Sequence, residues 1–447
     1  MHQQACDPRG NRAVQAVRRL GIAAGLACLA VAASAAGLSP TEQRIVEAVK
    51  ANNPAALRFL ERTVNVNSGT MNHEGVREVG RMFRAEFDAL GFTTRWSEMP
   101  PAMRRAGHLV ATREGTRGKR LLLIGHLDTV FEKDSPVQLW DRKDGVVRGQ
   151  GVADMKGGDV IVVEALRALN GVGALDGTTI TVVFTGDEER AGDPIEIARA
   201  DLIDAAKRSD VALAFEGTIR DRNGRDTATI ARRASSSWTL KTTGTQGHSA
   251  RVFAPGLGYG AIYEGARILN AFREQLIEPD LTFNPGVVLG GTEAKLDGET
   301  ARGTAFGKNN VISSTFLAKG DLRYLSAEVR DRTWAKMRAI VAASLPGTKA
   351  EISFLEHYPP MAPTEGNRAL LALHSRASED AGLGPVGSLP PGLRAAGDVQ
   401  FVAPYVDSLD GIGATGSGSH SPDEELEIAS VERATIRAAI LIYRLTR

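Results

Sequence analysis

The sequence predicts an α/β protein, with a central, mostly parallel sheet flanked by helices and interrupted by a smaller α+β insert. Three observations predict it. First, the continuous apolar runs Leu121–Ile124, Thr179–Phe184 and Val211–Phe215 are separated by helical patterns, as for strands buried on both faces. Second, the segment from Ser235 to about Glu356 has its own cycle of strands and two helices. Third, helical spacing resumes near Asn367–Asp380 and Val431–Leu445, so the chain returns to the body it left.

The elements follow in order. Arg9, Arg12, Arg18 and Arg19 precede an apolar stretch from Leu20 to Ala33, and small residues Ala33-Ser34-Ala35-Ala36 close it. This is the pattern of a secretory signal peptide cleaved after Ala35. The stretch is short and Ala-rich for a membrane span, so no stable membrane insertion is expected after cleavage. Helical apolar spacing marks Gln43–Lys50, Ala55–Val64 and Glu74–Leu90, with Gly91 as C-cap. His108–Arg113 and Leu121–Ile124 read as strands, Val160–Leu169 as a helix and Asp221-Arg222-Asn223-Gly224 as a hairpin turn. In the insert, strand Trp238–Thr243 leads to helix Leu257–Arg273. Strands Gly286–Leu289 and Ser314–Tyr324, helix Ala327–Ala343 and strand Lys349–Leu355 follow. The expected division is a leader over 1–35, a first domain built from 36–233 and 358–447, and an insert over 234–357.

Composition narrows the function. The chain of 447 residues is 43% hydrophobic and 24% charged, ordinary for a soluble globular protein. Its net charge is +1, of which the leader carries four Arg and one Asp, leaving the remainder mildly acidic with no basic block. That argues against nucleic acid as a partner. Both cysteines, Cys6 and Cys28, lie in the leader, so the mature chain has neither disulfides nor cysteine metal ligands.

The chemistry lies in three clusters: Gly125-His126-Leu127-Asp128-Thr129, Gly151-Val152-Ala153-Asp154-Met155-Lys156-Gly157-Gly158 and Gly186-Asp187-Glu188-Glu189. In an open α/β sheet, ligands sit outside the carboxyl ends of the strands. His126, Asp128, Glu188, Glu189 and Glu216 all fall at such ends. His126 and Asp128, two apart, share one face of an extended segment. Asp154 precedes a helix, where a carboxylate stays ionised easily and can bridge two cations. Each cluster alone has an ordinary explanation: a surface pair, a helix N-cap, an acidic turn. Together they crowd several carboxylates without a counter-charge, which is costly unless cations supply it.

These motifs resemble the aminoacylase/carboxypeptidase family of co-catalytic zinc hydrolases, most closely its secreted, folate-cleaving glutamate carboxypeptidase branch. Phe215-Glu216-Gly217, Gln246-Gly247-His248-Ser249-Ala250, Asn309-Asn310-Val311-Ile312 and Leu409-Asp410-Gly411 through His420-Ser421 continue the resemblance, over roughly residues 40 to 445. It implies a zinc-exopeptidase-like catalytic domain with a ferredoxin-like dimerisation or lid insert. It also implies two Zn2+ per subunit, although Mn2+ or Co2+ suit the same donors. By resemblance, His126 and Glu216 hold one metal, Glu189 and His420 the other, and Asp154 bridges. Asp128 orients His126, and Glu188 is the general base. His248, Asn310 and Arg323 bind substrate, with His248 reaching the neighbouring subunit's site in a homodimer.

Two departures stand out. Ser313 follows Asn-Val-Ile where the family has Pro, and Ala395-Ala396-Gly397-Asp398-Val399 replaces a Gly/Ser/Thr-rich Asp motif. The expected function is metal-dependent hydrolysis of an amide that releases a C-terminal amino acid, glutamate, from a small-molecule or short-peptide substrate in the periplasm or outside the cell. An N-acyl amino acid amidohydrolase or a dipeptidase on the same scaffold is the alternative enzyme. A non-catalytic exported metal- or peptide-binding protein is the alternative of another class.

Overall fold

Helix α1 (Pro40–Val64) opens on a capping box: the Ser39 hydroxyl accepts the Glu42 N–H, and the Glu42 carboxylate accepts the Ser39 N–H. The computed structural model describes residues 37–136, 139–297 and 302–447; the leader read in residues 1–35 lies outside them. The two helical patterns expected around Pro54 form one continuous helix. Ile45, Val49, Ala56, Phe59 and Leu60 make a single buried stripe, and its burial outweighs the ~3 kcal/mol a proline costs inside a helix. Helix α2 (His73–Ala89) ends where Gly91 takes a φ of 77°.

The central sheet comprises β1 (Thr93–Ser97), β2 (His108–Arg113), β3 (Arg117–His126), β4 (Thr178–Thr185), β5 (Val211–Ala214) and the short strand Ser408–Leu409, in the order β1-β2-β4-β3-β5 and then 408–409. The pairs β3–β4, β3–β5 and β5 with 408–409 are parallel. The β1–β2 and β2–β4 pairs run antiparallel, which apolar runs alone did not distinguish. Alternate side chains serve two cores. Leu121, Leu123, Ile180, Val182 and Phe184 pack in the core that α1, α2 and helix α3 (Gly157–Gly171) share with the C-terminal helix Ile428–Leu445. Leu122, Ile124, Val183, Ala212 and Ala214 pack on the other face against Leu202, Val399 and Val402.

The insert is a second, one-sided sheet. Its elements are β6 (Ser235–Gly244), α4 (Ala261–Gln275), β7 (Thr282–Gly291), β8 (Thr315–Arg323), α5 (Ala327–Ala342) and β9 (Thr348–Tyr358). The strands are all antiparallel, in the order β7-β8-β6-β9. Trp238, Leu240, Phe316, Ala318 and Leu322 alternate inward to meet Ile268, Phe272 and Met337 of the two helices. A hairpin of Glu293–Leu296 and Gly303–Phe306 had no sequence signal. The helix expected from Leu257 begins at Ala261, because Gly258 and Gly260 take positive φ in the preceding turn. Ser313 caps it: its carbonyl accepts the Ala261 N–H at 2.9 Å and its hydroxyl the Ile262 N–H at 3.0 Å. The residue that departs from the family pattern thus satisfies two helix-end donors, and a proline could supply only the carbonyl. No helix among the described residues is long and apolar enough to cross a membrane.

Candidate active site

Three strand ends and two loops converge on one rim of the central sheet. His126 is the last residue of β3, Glu188 and Glu189 follow β4, and Glu216 follows β5. Two close packings set their positions. Gly125 lies where a Cβ would stand 2.0 Å from the Asp159 carboxylate, and Gly158 where a Cβ would stand 2.0 Å from the Phe215 carbonyl. Only glycine lets α3 approach the strand ends this closely. The turn Val152–Lys156 before α3 carries Asp154, and the loop Gly418–Ser421 carries His420, held at a φ of 65°.

Asp154 divides the site in two. Its Oδ1 is 3.2 Å from His126 Nε2, which is 3.7 Å from Glu216 Oε1. Its Oδ2 is 3.2 Å from His420 Nε2, which is 3.0 Å from Glu189 Oε2. One carboxylate therefore faces two His/Glu pairs with separate oxygens. His126, Asp154 and Glu189 offer donor atoms within 4.8 Å of one another, close enough to hold a metal ion. Glu189 Oε1 is buried without a hydrogen-bond partner, so the donor set has capacity that the protein does not fill. Neutral imidazoles and carboxylates in this mixture suit zinc and its neighbours.

Asp128 ties the rim together. Its backbone oxygen lies 2.9 Å from His126 Nδ1 and its carboxylate 3.5 Å away, which leaves Nε2 to face Asp154. The same carboxylate accepts the backbone N–H groups of Glu188 and Glu189 at 3.0 and 3.2 Å, and the Thr70 hydroxyl at 2.6 Å. Burial opposes ionisation of Asp128, but these partners, His126 first, hold its pKa below the usual range.

The electrostatics are those of crowded acids. Burial pushes Glu188 well above the ordinary carboxyl range. Burial and then the Asp154 charge push Glu216 up to about 7. Asp154 goes the other way: hydrogen bonds to His126 and His420 outweigh its burial and hold it far down. Hydrogen bonds to Asp154 and Glu189 raise His420 to about 11.

Several residues that shape the site escaped sequence reasoning. Glu424 is buried, and its Oε1 accepts the backbone N–H groups of Ala153 and Asp154 at 2.8 and 3.1 Å. Lys156 is fully buried, and its ammonium donates to the Val66 carbonyl at 2.9 Å. Arg199 is fully buried between Asp187 and Asp398, at 2.6 Å from each, and so pins the Glu188–Glu189 loop to the 395–399 loop. The only signal was Asp187, inside the Gly-Asp-Glu-Glu cluster; its partners lie far along the chain.

A cavity of about 310 Å³ opens beside this rim, lined by Asp154, Glu188, Glu216 and His420 together with Arg232, Arg394 and the segment Leu393–Ala396. Tyr358, the last residue of β9, brings the insert to the rim of the central sheet, with its hydroxyl 3.5 Å from the Glu188 carbonyl. His248 and Asn310 lie together in the insert, where Ser249 N–H donates to the Asn310 carbonyl at 2.9 Å and His248 bridges to Val311. Arg323, at the end of β8, pairs with Asp321 at 3.1 Å. None of these three lines the cavity.

Comparison with known proteins bears on this geometry. A profile of peptidase family M20/M25/M40 matches residues 122–443. Carboxypeptidase G2 of Pseudomonas sp. (strain RS-16) is 28% identical over 440 residues, which cover 96% of this chain and 98% of that protein. Succinyl-diaminopimelate desuccinylase of Acidiphilium cryptum (strain JF-5) is 28% identical over 377 residues, covering 80% of this chain and 88% of that protein. Among solved structures, aminopeptidase PepT from Bacillus cereus ATCC 10987 superposes with a TM-score of 0.70 at 18% identity, covering 89% of this chain and 99% of that one.

Proposed function

The chain belongs to peptidase family M20/M25/M40 and is an amide-bond hydrolase, and from that premise we propose that it releases a C-terminal amino acid, glutamate, from N-acyl, folate-like or short-peptide substrates. The observation that carries the hydrolase part of this reading is Asp154, whose two oxygens face separate His/Glu pairs, with Glu188 lining the adjoining cavity and forming no ion pair among the described residues; the glutamate preference rests on the similarity to carboxypeptidase G2. His126 and Glu216 would hold one divalent cation, His420 and Glu189 a second, and Asp154 would bridge them. When bound, such a pair supplies Lewis acidity and brings the pKa of a water to about 7.

The protein's own residues then have distinct tasks. Glu188, free of ligand duty, takes a proton from the water that attacks the scissile carbonyl. The C–N bond breaks, and Glu188 returns that proton to the leaving nitrogen, giving a carboxylate and a free amino acid. Asp128 holds the Glu188 backbone and the His126 ring at once, which fixes base and ligand in one frame. The leader in residues 1–35 supports export, and His248 in the insert supports a homodimer in which it serves the partner's site.

The test is a substrate panel with the metal-loaded mature chain. Glutamate release from N-acylglutamates and folate-like substrates should exceed release of other amino acids from the same acyl groups. Equal rates would replace the glutamate reading with a general N-acyl amino acid amidohydrolase or dipeptidase. Hydrolysis of no amide at all would leave a binding protein.

A further inference from the structure

Two guanidinium groups stand in the cavity wall beside Glu188 and Glu216, and among the described residues only Arg232 has an anionic partner. Arg232 donates its Nε to Asp410 Oδ2 at 2.7 Å and its Nη1 to the Ala395 carbonyl at 2.5 Å. Arg394 donates its Nη1 to the carbonyl of Gly217, the residue after Glu216, at 2.8 Å. Its Nη2 is buried without a hydrogen-bond partner, and Arg394 forms no ion pair among the described residues. A guanidinium cannot shed its proton in a protein, and withdrawing a charge from water without a counter-charge is costly. Burial, and next the like charge of Arg232, press Arg394 below its ordinary pKa. Asp410 is engaged by Arg232, while Glu216 and Asp154 face the histidines. The fold therefore leaves one fixed positive charge unpaired at the place where the amide is cut.

We propose that Arg394 is a specificity-determining residue that receives a carboxylate of the substrate. This rests on the hydrolase reading above and narrows it to substrates carrying an anionic group within reach of the scissile carbonyl. A guanidinium binds a carboxylate through two parallel N–H···O bonds. Arg323, the arginine expected to do this, is paired with Asp321 and stands outside the cavity. The carboxylate has three sources: the α-carboxylate of the leaving amino acid, its side chain, or the acyl group.

The experiment compares wild type, Arg394→Gln and Arg394→Lys, all metal-loaded, with metal content checked by elemental analysis. Calorimetric titration with glutarate reads the subsite without turnover. Arg394→Gln should bind glutarate about tenfold or more weakly, the loss of one charged hydrogen-bonded contact, with Arg394→Lys in between. Matched pairs then locate the carboxylate: N-acetylalanine against its amide, N-acetylglutamate against N-acetylglutamine, and N-succinylalanine against N-acetylalanine. Arg394→Gln should compress the kcat/KM ratio of one pair, through KM, and spare the others. Should Arg394→Gln not fold, Arg394→Lys against wild type carries the same comparison. Equal glutarate affinity in wild type and variant at unchanged metal content, or no glutarate binding by wild type, overturns the assignment. Failure of wild type to hydrolyse any of the amides overturns the hydrolase reading instead, and the glutarate titration still decides Arg394.

Discussion

Stripping divalent metals with a chelator should leave a folded chain that loses stability as pH rises from 5 to 7. In the metal-free protein, Glu216 is pushed from 4.5 up to about 7 and Glu424 up to about 8, in each case by burial first and the Asp154 charge next. A carboxyl with a raised folded pKa keeps its proton in the folded state after the unfolded chain has released it. The stability it contributes is present below pH 4.5 and is lost as pH climbs to 7 and 8. Between pH 5 and 7 the linkage amounts to about 2 kcal/mol for each of the two groups. His126 and His420 act in the same direction: their pKa values are raised by their carboxylate partners, so their contribution is full below 6.5 and fades above it. Asp154, held low, has given its full contribution by pH 4 and stays constant. Lys156, lowered to about 7 by burial, changes mainly above this window. Glu188, also raised by burial, adds to the same loss; at about 1 °C per kcal/mol for a chain of this length, the metal-free Tm should fall by at least about 4 °C. Metal ligands must be deprotonated, so stabilisation by added zinc should grow over the same interval. Thermal unfolding at pH 5, 6 and 7, with chelator and with zinc, measures both. A metal-free Tm that is flat or rises from pH 5 to 7 would show that the carboxylates are not crowded out of water as the structure has them.

Four further outcomes follow from named contacts. Glu188→Gln should keep its metals and lose about 10²–10⁴-fold in kcat; near-normal turnover in a metal-loaded variant removes Glu188 as base. Glu424→Ala should weaken metal retention, because the Ala153 and Asp154 N–H groups lose their acceptor, with Glu424→Gln milder; equal zinc affinity in all three proteins refutes this. Arg323→Ala should erode the preference for a free α-carboxylate over its amide only if Arg394 takes the side-chain or acyl carboxylate instead; equal effects on both would reduce Arg323 to the partner of Asp321. Mixing His248→Ala with Glu188→Ala should restore activity if His248 serves the partner's site; confirmed subunit exchange without recovery places His248 within its own chain or outside the reaction.

What could be read from the chain depended on how local each signal was. The strand ends bearing His126, Glu188 and Glu216 were legible because an apolar run and the polar residue that ends it are neighbours in sequence. The passage of α1 through Pro54 was not, since a buried stripe decides it and the proline argues locally the other way. The antiparallel β1–β2 edge was hidden for a similar reason: pairing direction depends on the partner. Glu424 sits four residues beyond His420, yet its role toward Asp154 exists only once the chain ends fold over the turn before α3.

The loop 395–399 joins these two kinds of legibility. By sequence it is a departure from the family pattern. In the structure its Asp398 is committed to Arg199 and to the Thr185 hydroxyl at 2.6 Å each, so the anchor at the catalytic rim is kept. The small side chains of Ala395 and Ala396 line the cavity and leave room beside Arg394, and the Ala395 carbonyl orients Arg232. In this chain the wall there is apolar and backed by guanidinium charge. The residues proposed as metal ligands and base lie outside this loop, so the departure bears on the cavity wall beside Arg394.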